Sequence, residues 1–144
     1  MKKALTAAAA VLLAAAVGFA VYFICRASEK SRIEKAFENT VQSVRRDVDD
    51  VLSGKSADLS YVLSDVNSLI TLCTLDGRDE FGGDLSQQLL ISYAFLQSRP
   101  EACRENIRML YDAAGAYLSD KNEGTLTKAL DDFNEAAKIY TATK

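Results

Sequence analysis

Residues 4–25 read ALTAAAAVLLAAAVGFAVYFIC, 22 positions in which Thr6 is the only clearly polar side chain, with Lys2 and Lys3 before them and Arg26 directly after. As an α-helix rising 1.5 Å per residue, such a run is about 33 Å long and matches the ~30 Å hydrocarbon layer of a bilayer. A helix with no polar face must be enclosed on every side, and the 119 residues that follow it are too few to enclose it and pack themselves as well. The reading is therefore a transmembrane signal-anchor helix at 4–25 behind a basic tail at 1–3, contacting membrane lipid through residues 4–25.

A secretory signal uses the same ingredients, and cleavage after Ala16 or Ala20 would instead release a secreted protein. Against cleavage, Val21, Tyr22, Phe23 and Ile24 continue the apolar run past both positions, beyond the roughly 7–15 residues of a usual signal core. A short N-terminal tail with two lysines favours retention of the N-terminus inside and an extracytoplasmic C-terminal domain, although Arg26, Lys30, Arg32 and Lys35 pull the other way. Within the span Ala10, Ala14 and Gly18 recur every fourth residue and offer a small-residue packing face to a second helix, so a homo-oligomer is allowed.

Downstream, the apolar spacing is helical throughout. Ile33, Phe37, Val41, Val44, Val48 and Val51 are three or four apart and form one stripe, placing a membrane-proximal amphipathic helix at 26–54 that ends at Gly54. Leu59, Val62, Val66, Leu69, Ile70 and Cys73 make a second stripe, with Ser56 as its N-cap and Asp76-Gly77 as its exit. Asp84 and Gln87 are spaced as a capping box for a third helix, whose Leu85–Leu96 stretch is apolar nearly all round and is expected to be the most buried of the set. Pro100 fits the first turn of a fourth helix carrying Cys103, Ile107, Leu110, Ala114 and Leu118, with a neighbouring helix expected to cross near Gly115. After the polar turn Asp120–Gly124, the last stripe is Leu126, Ala129, Leu130, Phe133, Ala137 and Tyr140. The fold class is all-α: an N-terminal transmembrane helix followed by a four- to five-helix antiparallel bundle, with residues 55–144 completing the domain begun by 26–54.

Composition narrows the chemistry. The chain of 144 residues has no histidine, which removes His-based triads and Zn(His) sites. Its 17 basic and 20 acidic side chains leave a net charge of −3, and −5 from Arg26 onward, which disfavours a nucleic-acid surface. Cys73 and Cys103 can pair as a disulfide in an oxidising compartment, or serve as small buried apolar residues. With Cys25 they lack the local spacing of a metal site, and the acidic segment Asp76–Asp84 does not follow the order of a Ca²⁺-binding loop. The neighbouring carboxylates Asp49/Asp50 and Asp131/Asp132 diverge by about 100° on a helix and do not converge on one substrate. No catalytic residue, cofactor or metal site is assigned.

Tyr111, Gly115 and Leu118, followed by Ala129, Phe133 and Ala136, resemble the large/small alternation of one tetratricopeptide unit over about 35 residues. That resemblance implies peptide binding between the two helices. The pattern's large aromatic and closing proline are replaced or missing, so an ordinary αα-hairpin accounts for the same residues. The functional expectation is a non-enzymatic, single-pass accessory or scaffold protein of the cell membrane that binds another protein at the membrane surface.

Overall fold

The computed structural model of the chain describes residues 2–56, 58–75 and 84–139, with side chains described from residue 15 except at these gaps. Among the described residues there are five α-helices and no strand: α1 (Lys2–Leu52), α2 (Ser60–Leu75), α3 (Asp84–Ser98), α4 (Pro100–Asp120) and α5 (Glu123–Ile139). The all-α helical bundle read from the stripes is therefore present. Internal contacts divide the chain into two units, Met1–Glu34 and Lys35–Lys144, and α1 passes from one into the other without a break.

The first unit is helix. No helix of the described residues is long and apolar enough to cross a membrane. The span read at 4–25 falls in part on 4–14, whose side chains lie outside the described residues, and Ala10 and Ala14 of the small-residue face lie there too.

In the second unit, the stripe expected on α1 is the one that turns inward. Phe37, Val41, Val44 and Val48 are buried, with Val51 half-buried at the end of the stripe. Its partner is α4. The Phe37 and Tyr117 rings meet edge to face with centroids 5.5 Å apart, Lys121 Nζ lies 2.9 Å from Glu38 Oε2, and the Arg45 guanidinium sits 4.6 Å from the Tyr111 ring centre. Rising numbers on α1 meet falling numbers on α4, so these helices run antiparallel. α5 packs against both α3 and α4, and α2 packs against α3. Phe37, Phe133, Leu89 and Ile107, each fully buried, come from four different helices and fill the shared core.

The ends of the helices follow local chemistry. Gly54, at φ +72°, takes the left-handed conformation that closes α1, as its position predicts. Pro100 occupies the first turn of α4, where its missing N–H costs nothing. At the other end of α4 the left-handed residue is Lys121, at φ 54°, whose N–H donates to the Tyr117 carbonyl (2.7 Å). Asp120 and Asn122 side chains accept N–H bonds two residues on, from Asn122 and Gly124 at 2.9 Å each, so two residues suffice to turn the chain into α5.

Two expectations are corrected. The α2 start is four residues later than Ser56. Asp58 Oδ1 accepts the Ser60 N–H (2.8 Å) and Asp58 Oδ2 accepts the Ser60 hydroxyl (2.7 Å), while Ser56 Oγ accepts the Asp58 N–H (3.2 Å) in the approach. Asp58 thus satisfies the first backbone N–H of α2, a donor with no partner inside the helix. Nor is α3 buried on all sides, although it packs against α2, α4 and α5 and is as deeply buried as α4. Its inward residues are Leu85, Ser86, Leu89, Ser92 and Leu96, whereas Ile91, Tyr93 and Phe95 are only half-buried and Leu90 is 52% exposed. An all-round apolar helix still has only one side toward its neighbours, and here two serines occupy that side. The Asp76-Gly77 exit, the rest of the acidic segment to Gly83, and Tyr140 lie outside the described residues.

Candidate functional site

Besides the Lys121–Glu38 pair between α4 and α1, four ion pairs of the bundle join near neighbours in sequence. Arg46 and Asp47, Lys55 and Asp50, Arg108 and Asp112, and Lys138 and Glu135 form ion pairs with N to O distances of 3.1–3.4 Å, all at least partly exposed. Asp50 of the Asp49/Asp50 pair is thus engaged with Lys55, and Asp131 and Asp132 are both exposed. Among the described residues no group of His, Cys, Asp or Glu side chains is placed to hold a metal ion.

A second electrostatic grouping spans α1 and α2. Arg46, Asp47 and Asp50 of α1 and Ser56, Asp58 and Tyr61 at the entry of α2 line a shallow cleft. Two hydrogen bonds from Ser60, hydroxyl and backbone, hold Asp58 below the usual carboxylate range. Asp65 is moved the other way. Burial raises it, the Asp47 carboxylate adds to the rise, and Arg46 opposes it. Its Oδ2 is buried with no hydrogen-bond partner.

On α4, Gly115 marks the approach of α1, as expected, although the atoms facing it belong to a side chain. A Cβ there would stand 3.4 Å from Arg45 Cζ. Arg45 Nη2 donates to the Tyr111 hydroxyl (3.3 Å), and the Arg108 guanidinium is 5.0 Å from the same ring centre. Tyr111 is thus contacted by two guanidinium groups, a structural clasp between the helices.

Cys73 and Cys103 are both fully buried and carry thiols rather than a disulfide, and Cys25 is an exposed thiol. Burial pushes the Cys103 thiol up to about 11, partly offset by Arg99, which suits a packing residue and not a nucleophile. Gly18 has nothing within 4 Å of the position of a Cβ.

Two surfaces stand out. The first is on α1 before Glu34: all the side chains of 15–32 are exposed, including Phe19 (67%), Phe23 (64%) and Ile24 (69%). At the end of this apolar stretch, Arg26 Nη1 donates back to the Tyr22 hydroxyl (3.3 Å).

The second comprises the exposed sides of α2 and α3, helices that pack together. These helices have 16 and 15 residues and a single charged side chain each, Asp65 and Asp84, whereas α4 and α5 each carry six. Their outward residues are Tyr61, Ser64, Asn67 and Thr71 on α2, and Gln87, Leu90, Ala94 and Gln97 on α3. The hydroxyls beside them are turned onto their own helices: Ser68, Thr71 and Thr74 donate to the carbonyls of Ser64, Asn67 and Ile70 at 3.0–3.1 Å, and Ser98 to that of Ala94 at 2.6 Å. A face with few charges and with hydroxyl donors already engaged is cheap to desolvate. Its charge scarcity is visible in the sequence, but the sequence reading took it for burial.

A buried polar contact between α3 and α5 was also not anticipated. Asn134 Nδ2 donates to Gln88 Oε1 (2.8 Å) and to the Gln88 carbonyl (3.1 Å), and Ser92 Oγ lies 2.9 Å from both Asn134 Oδ1 and that carbonyl. Ser92 and Asn134 are nearly inaccessible, so this network fixes the level at which α3 meets α5.

Comparison with known protein families, with characterised proteins and with solved structures finds no match.

Proposed function

We propose that the chain is a non-enzymatic, single-pass membrane protein whose helical bundle binds another protein at the membrane surface, as a small accessory or scaffold subunit. The observation that carries the reading is the outward exposure of every side chain in the apolar stretch 15–25, continuous in sequence with the equally apolar 4–14. Exposed Phe, Ile and Val at this density favour a hydrocarbon surrounding over water by about 25 cal/mol per Å² of apolar surface. The span is then 4–25, and membrane lipid is its first partner. The charge-poor face of α2 and α3 supplies a surface for a protein partner, since the interior of such interfaces is depleted in charged residues. The proposed placement of the bundle on the extracytoplasmic side is supported by Lys2 and Lys3 ahead of the apolar run.

Sodium carbonate washing of membranes, protease treatment of intact cells and the intact mass of the mature chain together test this. Retention in the washed membrane, digestion of the bundle from outside and a full-length mass are expected. Release into the wash refutes the anchor, protection from protease refutes the placement, and loss of the first 16 or 20 residues makes the protein a secreted bundle.

A further inference from the structure

We infer that the turns of α1 just beyond the apolar stretch form a collar for the phosphate groups of anionic lipids, so that the bilayer around this chain is enriched in them. The inference rests on the anchored reading above and adds the class of lipid. Charge is divided along the sequence. The ten residues 26–35 hold four basic side chains against two acidic ones, whereas residues 36–144 hold 11 basic against 18 acidic. The positive excess thus stands directly after the apolar run, where a phosphate layer would lie, and the negative excess beyond it.

Height and exposure fit that layer. On an unbroken helix Arg26, Lys30 and Arg32 stand about 1.5, 7.5 and 10.5 Å beyond Cys25. The headgroup zone is ~5–7 Å deep on each side of the hydrocarbon. Lys and Arg stems bend back along apolar surface, so all three charged groups reach the phosphates. Arg26 is bent back in this way, since its Nη1 donates to the Tyr22 hydroxyl one turn toward the span (3.3 Å). All three are exposed and enter no ion pair among the described residues, and Lys30 is not joined even to Glu34, one turn on. Phosphate oxygens match the fork of an Arg and the point charge of a Lys.

The spread of these groups around the helix selects lipid over a protein. Residues advance about 100° each, so Lys30 is ~40° from Arg26 while Arg32 is ~160° from Lys30, on the opposite side. Every side chain of 15–32 is exposed, so both sides are open. A protein approaches a helix from one side and would leave part of the collar unused. Lipid surrounds a spanning helix, and its headgroups meet basic groups on each side of it. Glu29 and Glu34 lower the excess without cancelling it.

The test places the full chain, labelled with bimane at the exposed Cys25 thiol, in liposomes of phosphatidylcholine with a minor share of phosphatidylglycerol. Two preparations have the same composition. In one the phosphatidylglycerol carries bromine on its acyl chains near the glycerol, and in the other an equal amount of the phosphatidylcholine does. Bromine quenches the label on contact, so the ratio of the two quenching constants reads the local enrichment of the anionic lipid. One basic residue close to an anionic surface favours it about fivefold, and with two glutamates opposing, a ratio of at least about three is expected. Lys30→Gln with Arg32→Gln should bring the ratio to about one. Lys128→Gln with Lys138→Gln, an equal change of charge on exposed positions of α5, should leave it unchanged. A ratio near one in the unsubstituted chain, or equal ratios in the two double variants, overturns the inference, and resistance to carbonate in the same samples then leaves the anchored reading standing. Loss of the ratio on adding inorganic phosphate at constant ionic strength assigns a free phosphate in place of lipid and also overturns it. Carbonate release with no quenching from either lipid removes the anchored reading, and the inference with it.

Discussion

Two phenylalanines on one helix, Phe23 and Phe37, have opposite surroundings, and the same substitution at each should have opposite effects. Phe37 is fully buried and its ring meets that of Tyr117 edge to face at 5.5 Å. Phe37→Ala removes a buried aromatic ring at a cost of about 3–5 kcal/mol, within which the ring pair contributes about 0.5–1.5 kcal/mol. The unit from Lys35 to Lys144 has 110 residues, for which an unfolding entropy of about 2.1 cal/mol/K per residue gives a fall in Tm of roughly 17 °C for 4 kcal/mol. A domain of this size is stable by only about 5–15 kcal/mol, so the variant should be marginal. Phe23 is 64% exposed, and Phe23→Ala removes nothing from the bundle core. In a lipid span it forfeits only about half a kcal/mol of insertion free energy, too little to free a 22-residue run. Thermal unfolding followed by circular dichroism on the full chain in liposomes, with carbonate extraction of the same samples, reads both quantities. An unchanged Tm for Phe37→Ala would refute α1 as a core element of the bundle, and a Tm lowered as far by Phe23→Ala would refute the separation of the helix into two functional stretches.

Asn134→Ala should cost about 1–3 kcal/mol in urea unfolding, because Ser92 and Gln88 lose a buried partner, and Ser92→Ala with Asn134→Leu should cost less than the two single changes added together. Gly115→Ala should raise stability by up to about 1 kcal/mol, since a methyl there meets Arg45 at an ordinary contact distance of 3.4 Å while the helix gains a better former; a net loss would show that Arg45 cannot yield. Because Asp65 is raised in the folded state, folding takes up a proton there, and its contribution is full below the ordinary Asp value of about 3.9 and is lost as pH rises through the folded one. Asp65→Asn should therefore have the higher Tm at pH 7, with the advantage over the unsubstituted chain disappearing on acidification; an advantage that grows toward low pH would contradict the burial argument.

The helices were legible because their stripes are long and their punctuation is strong. Phe37 to Val48, Leu126 to Ala137, Gly54 and Pro100 all stand where spacing and backbone chemistry place them. The α2 start was not legible to the residue, since Ser56, Asp58 and Ser60 are all capping types and only geometry chooses among them. The Ser92 and Asn134 contact was hidden for a different reason. Each is an ordinary polar residue on its own helix, and their meeting 42 positions apart is a tertiary fact that no local period encodes.

The α2 and α3 surface shows how far hydropathy alone carries a reading. An apolar run along nearly the whole of α3 points to enclosure, and α3 does pack against α2, α4 and α5, yet Leu90, Ala94 and Gln97 on its remaining side are exposed. Solubility does not explain the lack of charge there, because a free surface gains from charge and from unsatisfied donors facing water. Hydroxyls closed onto their own carbonyls over successive turns work against hydration. A partner that met this surface with strong charges would leave them without compensating groups, so the binding role proposed above calls for a partner with few charges.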